Sequence, residues 1–290
     1  MASRPSVLLI GGPDAGKTNY LGRLWIAINS NTSLLAKDGL PDDLAYLEEV
    51  ANDLRQGKFA PHTPTGQHIR SVIPFTSRSA NGTTVGNLVV PDCFGEKWMD
   101  VCRKREWSSD WEELISEDCG CLIFVRVESA QIVPALDPIV CATYALHGGA
   151  PADDKSAVPT QVVLIEWLQF LREAFTGRVC GRFCPRVGIV VTAWDLIPND
   201  AQNDYPFQYL SSNFPMFGQF LESNASRFEF AFFGVSVAAG ELDPKKDPAF
   251  HRAYLNGNPH EAGYVMHSLH GGLEKSIDLT LPVAWALRIC

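Results

Sequence analysis

Apolar and polar positions along the 290-residue chain alternate between two kinds of pattern. Predominantly apolar runs at 7–10, 121–127, 186–191 and 228–235 have the length of strands buried on both faces. Between them, apolar residues recur with helical spacing: Leu21, Leu24, Trp25 and Ile28; Leu44, Leu47, Val50, Ala51 and Leu54; Val162, Val163, Ile165, Leu168, Leu171 and Phe175. The second set follows Pro41 with Asp42 and Asp43 in its first turn and stops before Gly57, which predicts a separate inserted helix. Residues 68–75 and 83–90 flank Asn81-Gly82, a hairpin-turn signal, and predict an antiparallel pair. A further helix is expected within 97–117, where Trp98, Trp107 and Trp111 form a core stripe, and a last helical turn or two within 279–287. Stretches 57–67, 136–160 and 241–260 combine Gly and Pro with little periodicity and are expected to be loops.

Strands separated by helices predict an α/β fold, a mostly parallel sheet with one antiparallel hairpin (the second and third strands) and helices on both faces. The expected organisation is a single domain over 1–290, with insertions at about 38–60 and 136–160 and a C-terminal extension from about 241. An apolar content of 46% is enough for a large core. A net charge of −9 and a pI near 5.3 exclude a general nucleic-acid-binding surface, which needs a basic face. No apolar run approaches the ~20 residues that cross a bilayer, and no secretory leader precedes the first strand, so the expected compartment is the cytoplasm. Cys119-x-Cys121 and Cys180-x₃-Cys184 lack the Cys-x₂-Cys pairing typical of zinc sites, and Cys121 opens a core strand.

The chemistry begins where the first strand ends. Gly11-Gly12-Pro13-Asp14-Ala15-Gly16-Lys17-Thr18 fills the four fixed positions of G-x-x-x-x-G-K-[ST], with a strand before it and a helix after it. Gly11 and Gly16 let the backbone turn so that successive N–H groups converge on a β-phosphate at the positive end of the helix. Lys17 reaches the β- and γ-phosphates, and the Thr18 hydroxyl is placed to ligate Mg²⁺. A turn joining strand to helix accounts for the glycines but not for Lys17-Thr18 directly behind them.

Two later strands end in residues that belong with such a loop. The apolar run 89–90 leads into Asp92-x-x-Gly95-Glu96, where Asp92 can hold Mg²⁺ through water and the Gly95 N–H can report a γ-phosphate. The strand over 186–191 runs into Thr192-Ala193-Trp194-Asp195, the spacing of the guanine-reading Asn-Lys-x-Asp element. Arg126, at the end of another strand, reads as an exposed strand-end residue rather than a functional cation.

With these motifs in this order over residues 5–240, the chain resembles Ras-like P-loop GTPases, whose second and third strands pair antiparallel. Within that class it is similar to the bacterial double-GTPase domains of multi-protein conflict and defence systems, through the Gly-Gly-Pro-x-Ala-Gly-Lys-Thr loop, the inserted helix before Gly57 and the Asp-x-x-Gly-Glu strand end. The resemblance implies GTP/GDP and Mg²⁺ as ligands, phosphate contacts from Gly11 to Thr18, and a loop threonine, Thr63 or Thr65, completing the metal and γ-phosphate sphere. It further implies a second switch at Asp92 and Gly95, guanine read by Asp195, and backbone N–H groups of Ser236, Val237 and Ala238 near the base O6. A protein effector or partner GTPase is implied as the recipient of the signal.

Three positions depart from the family pattern. Glu96 stands where many GTPases carry a water-positioning Gln, which implies slow hydrolysis or a residue from a partner. Ala193 replaces the Lys whose stem lies along the base. Trp194 either stacks on the base in its stead or is simply buried. Two rival functions share the loop: an ATP-dependent kinase or ATPase, and a nucleotide-binding scaffold that does not hydrolyse.

Overall fold

A computed structural model describes residues 5–30, 32–61, 71–77, 84–90, 104, 119–135, 158–176, 185–198 and 205–290. Among the described residues, nine strands form one sheet in the order β2-β3-β4-β1-β5-β6-β7-β8-β9. They are β1 Ser6–Gly11, β2 Leu35–Lys37, β3 Ser71–Ser77, β4 Val85–Val90, β5 Cys119–Arg126, β6 Arg186–Thr192, β7 Glu229–Ser236, β8 Tyr264–His267 and β9 Glu274–Ser276. Strands β4, β1, β5, β6 and β7 run parallel, and β3 returns antiparallel on β4 with Ile73 opposite Leu88. The expected parallel centre and hairpin are therefore present.

Both edges go further than the sequence pattern indicated. Strand β2 pairs antiparallel with β3, and β8 and β9 continue the other edge as an antiparallel ribbon, with Ser236 opposite Tyr264 and Met266 opposite Lys275. Strands of three or four residues hold too few alternations to stand out from loop sequence.

Alternation along each central strand divides the interior into two cores. Val7 and Leu9 of β1, Leu122 and Phe124 of β5, and Phe233 and Val235 of β7 face one side. There they meet α1 (Lys17–Ile28), α2 (Leu44–Arg55) and the last helix, α7 (Leu281–Ala286), through Leu21, Trp25, Leu47, Leu54 and Val283. Leu8, Ile10, Ile123, Val125, Ile189 and Val191 face the other side. They are covered by α3 (Thr160–Thr176), α4 (Pro206–Asn213) and α5 (Pro215–Ser223) through Trp167, Leu171, Leu210, Phe217 and Leu221. Each such side chain contributes roughly 1.5–3 kcal/mol on burial. Cys119 and Cys121 both lie in this second core, and burial pushes the Cys121 thiol well up, so the pair is packing material.

The region from 241 on is more ordered than expected. Asp247 caps α6 (Pro248–Asn256) by accepting from the Phe250 N–H at 2.8 Å, with Pro248 at the first helical position. That helix has no fully buried residue, and its short apolar face, Phe250 and Tyr254, packs only partly buried against the first core. The same region clasps α1. Tyr20 Oη donates to the Leu279 carbonyl at 3.0 Å, and the Leu34 N–H donates to Asp278 Oδ2 at 2.6 Å. Arg23, buried on α1, donates to the Pro259 carbonyl and the Tyr254 hydroxyl, and Tyr254 donates in turn to the Leu54 carbonyl of α2 at 2.9 Å. Helix α7 lies so close under β5 that a Cβ on Gly120 would collide with the Ala286 carbonyl.

Candidate functional site

Strand β1 stops at Gly11 and α1 starts at Lys17, so the intervening loop stands at the carboxyl end of the parallel strands, between β4 and β5. Gly16 precedes the helix with φ 85°, and a Cβ there would lie 2.7 Å from Thr192 Oγ1. Both the left-handed backbone and the close approach require glycine. Among the described residues no side chain caps α1, so its first turn is presented to the loop rather than covered by an Asp or Ser. Lys17 is buried, and its Nζ donates to the Gly11 and Gly12 carbonyls at 2.5 and 2.8 Å, spanning the loop mouth. A buried ammonium beside an uncapped helix N-terminus is a donor set for anionic oxygen. Thr18, next on the helix, puts a hydroxyl on that first turn, an arrangement that fits the Mg²⁺ expected with a nucleoside triphosphate.

The loop is held from two neighbouring strands. Thr192, the buried last residue of β6, donates from Oγ1 to the Ala15 carbonyl at 2.9 Å. Asp14 adopts φ 56°, and both its carboxylate oxygens are engaged: Oδ1 with Arg126 Nη1 at 2.6 Å and Oδ2 with Ser129 Oγ at 2.7 Å. Arg126 is thus no idle strand end. Its place at a strand's carboxyl end was the one hint in the sequence and pointed to no partner, and Ser129, in the following turn, offered none.

Beyond Thr192 the chain turns at Ala193, with φ 56°, into a short 3₁₀ turn, Trp194–Leu196. Trp194 is fully buried, packed flat enough on β7 that a Cβ on Gly234 would clash with its ring, and it meets Tyr209 edge-on at 5.9 Å. A base-stacking role for Trp194 is ruled out by that burial. Asp195 is half-buried beside Tyr264, whose phenol is pushed up to about 12 by burial first and by the Asp195 carboxylate second. The Lys275 ammonium lies 4.0 Å from the centroid of the Tyr264 ring. Next to them, Ser236 accepts from the Ala239 N–H at 2.8 Å through its buried Oγ, which closes the turn carrying Val237 and Ala238. The loop lysine, Asp195 and the Ser236 turn all stand at the carboxyl ends of β1, β6 and β7, and Tyr264 and Lys275 on the edge ribbon went unread in the sequence.

After α2, Gly57 turns the chain with φ 69°, and the Ala60 N–H donates to Asn19 Oδ1 at 2.9 Å. Asn19 follows Thr18 on α1, so the chain entering the segment of Thr63 and Thr65 is tied one residue from the phosphate loop. Thr63, Thr65, Asp92, Gly95 and Glu96 lie outside the described residues, as do the helix expected within 97–117, apart from residue 104, Cys180 and Cys184, and residues 136–157 of the second insertion.

The family model Double-GTPase 1 (DO-GTPase1) matches residues 8–286. The chain belongs to this family. A search of curated proteins found no match. Among solved structures, this Double-GTPase 1 chain is similar to the signal recognition particle receptor in the SRb-GTP/SRX complex from Chaetomium thermophilum. That match has 12% identity and a TM-score of 0.41, and covers 88% of this chain and 99% of the other. Roco2 RocCORdC of Methanosarcina barkeri bound to GDP matches at 12% identity and TM-score 0.32, over 90% of this chain and 51% of that one. The bacterial selenocysteine-specific elongation factor EF-Sec matches at 11% and 0.31, over 92% and 34%. The chain thus spans about half and about a third of the lengths of these last two structures. The Double-GTPase 1 assignment rests on the family model. Among the described residues no helix is long and apolar enough to cross a membrane.

Proposed function

We propose that this Double-GTPase 1 chain is a GTP-binding molecular switch that hydrolyses GTP to GDP and phosphate and signals to a protein partner in a bacterial defence system. The observation that carries the reading is the phosphate loop itself: a buried Lys17 spanning the Gly11 and Gly12 carbonyls in front of an uncapped helix. In this reading the loop N–H groups and the Lys17 ammonium bind the β- and γ-phosphates. Thr18, with Thr63 or Thr65 and Asp92, would hold Mg²⁺, which would supply further positive charge against the phosphate oxygens. Glu96, one residue past Gly95, orients water toward the γ-phosphorus as the bond to the leaving GDP oxygen breaks. Asp195 accepts from guanine N1–H and the exocyclic amine, and N–H groups of the Ser236–Ala238 turn face the base O6. Loss of the γ-phosphate releases the segments of Thr63 and Asp92, which is the output a partner senses.

Calorimetric titration of wild type and Lys17→Ala with Mg²⁺ and GTP, GDP or ATP tests the reading. GTP and GDP should bind wild type, ATP should not, and Lys17→Ala should lose GTP affinity strongly while still unfolding in a single cooperative transition, at a somewhat lower temperature because two loop carbonyls lose their donor. Preference for ATP would transfer the chain to the kinase or ATPase class. Equal GTP affinity in the mutant would remove the site. Multiple-turnover phosphate release separates the switch from a scaffold, and Glu96→Ala should slow that release more than it weakens GTP binding.

A further inference from the structure

A loop built to surround phosphates contains a carboxylate. Asp14 lies two positions before Gly16 and three before Lys17, and its own backbone is left-handed at φ 56°. A negative charge at that place opposes every negative charge the loop is meant to take. It is countered from one strand away: Arg126 Nη1 lies 2.6 Å from Oδ1, and Ser129 Oγ donates to Oδ2 at 2.7 Å. The carboxylate side chain is 19% exposed and the guanidinium 37% exposed, so the pair is partly shielded from water and acts over the loop with less screening than a surface ion pair. Ordinary stability does not call for the arrangement, since a glycine would satisfy the left-handed backbone and a neutral side chain would need no counterion.

We propose that Arg126 is a positioning residue of the nucleotide site: it neutralises Asp14 inside the phosphate loop, and so sets how strongly the loop favours a nucleoside triphosphate over the diphosphate. The inference rests on the reading of Gly11 to Thr18 as a phosphate loop. Its mechanism is a charge balance. With the pair intact, the net charge added to the loop is zero and Lys17 acts at full strength. Without Arg126, the Asp14 carboxylate repels the phosphates, and repels the more highly charged triphosphate more. Without the carboxylate, Arg126 becomes an additional cation beside the loop. The two single changes therefore act in opposite directions on affinity, which a pair that only braced the fold could not produce. Ser129 holds the second oxygen, so that the carboxylate stays turned toward Arg126.

The test is a double-mutant cycle on the full chain, with Mg²⁺·GTP and Mg²⁺·GDP affinities measured by calorimetry at low and high salt and a melting curve for each variant. Arg126→Ala should weaken GTP binding about three- to fivefold, the size of a charge effect partly screened by solvent, and weaken GDP binding less. Asp14→Asn, which tolerates the left-handed backbone, should tighten GTP binding several-fold. The double variant should return to near the wild-type affinity. High salt should compress all of these differences, and Arg126→Lys, which keeps the charge, should restore most of the loss. A double variant as weak as Arg126→Ala would overturn the proposal, because Arg126 would then touch the nucleotide directly. Both single variants weakening GTP equally, together with lowered melting temperatures, would overturn it in favour of a brace. Lys17→Ala in the same titration separates failure of the pair from failure of the phosphate-loop reading: if Lys17→Ala is also silent, the site itself is absent.

Discussion

Thr192→Val tests how the phosphate loop is held, because it exchanges one hydroxyl for a methyl of nearly the same volume. Thr192 Oγ1 is buried, donates to the Ala15 carbonyl at 2.9 Å, and lies where a Cβ on Gly16 would come within 2.7 Å. A neutral hydrogen bond contributes about 0.5–1.5 kcal/mol net, and a buried carbonyl deprived of a donor costs about 1–3 kcal/mol. The bulkier methyl against Gly16 adds to that cost rather than relieving it. The expected loss is about 2 kcal/mol, which for a chain of this size lowers the melting temperature by about 3 °C. Part of this loss falls on the loop alone, so GTP affinity should drop by about fivefold, the equivalent of about 1 kcal/mol. Thr192→Ser keeps the donor and sacrifices only a methyl group, so it should retain affinity while losing a little stability. Differential scanning calorimetry and GTP titration on the three proteins decide the matter. If Val is as good as Thr, or if Ser is as poor as Val, the hydroxyl does not hold the loop and the reasoning fails.

In Asp195→Asn one carboxylate acceptor becomes a donor facing the guanine amine, so GTP affinity should fall by about 2–4 kcal/mol while xanthosine triphosphate, with a carbonyl there, gains; a folded mutant without that gain would dismiss Asp195 as the base reader. Asn19→Ala removes the acceptor at 2.9 Å from the Ala60 N–H, so hydrogen exchange at Lys58 to Ala60 should quicken while Leu47 and Leu54 in α2 keep their protection, and unchanged exchange would show that Asn19 does not tie down this segment. Tyr264 has its phenol raised to about 12, so the folded state keeps a proton that the unfolded chain loses near pH 10; that contribution is complete below pH 10 and disappears as pH rises through about 12. Tyr264→Phe should therefore flatten the fall of melting temperature between about pH 10 and 12, and an unaltered slope would place the titration elsewhere.

The central strands and the two flanking helix layers were legible because long apolar runs and helical stripes report burial directly, as in 121–127 against the observed Cys119–Arg126. The phosphate loop was legible for a different reason: its function fixes residue type at fixed spacing. Partnerships across the chain were hidden. Nothing local to Arg126 says that it meets a carboxylate 112 positions away, and nothing around Trp194 distinguishes a ring offered to a ligand from one packed on Gly234. The edge ribbon β8–β9 escaped because its strands are too short to impose a period, and α6 because a single apolar pair, Phe250 and Tyr254, sits between Pro248 and Gly257 in a stretch that reads as loop.

The clasp between α1 and the C-terminal region has a consequence for biosynthesis. Tyr20, three residues into the helix behind the phosphate loop, finds its acceptor on Leu279, 259 positions later, and α7 must arrive before the face of β5 at Gly120 is covered. At translation rates of about 5–20 residues per second, that interval lasts roughly 13–52 s. From the synthesis of Leu122 and Phe124 onward, that side of the central strands waits for the helix that completes its cover, and Arg23 lacks its carbonyl acceptor until Pro259 is made. The nascent chain can carry its whole phosphate-binding sequence outside the ribosome while one core remains open. Delivery of the last helix, rather than appearance of the loop, is then the event that commits the protein to its native state, and a holding chaperone acts most usefully in the interval before it.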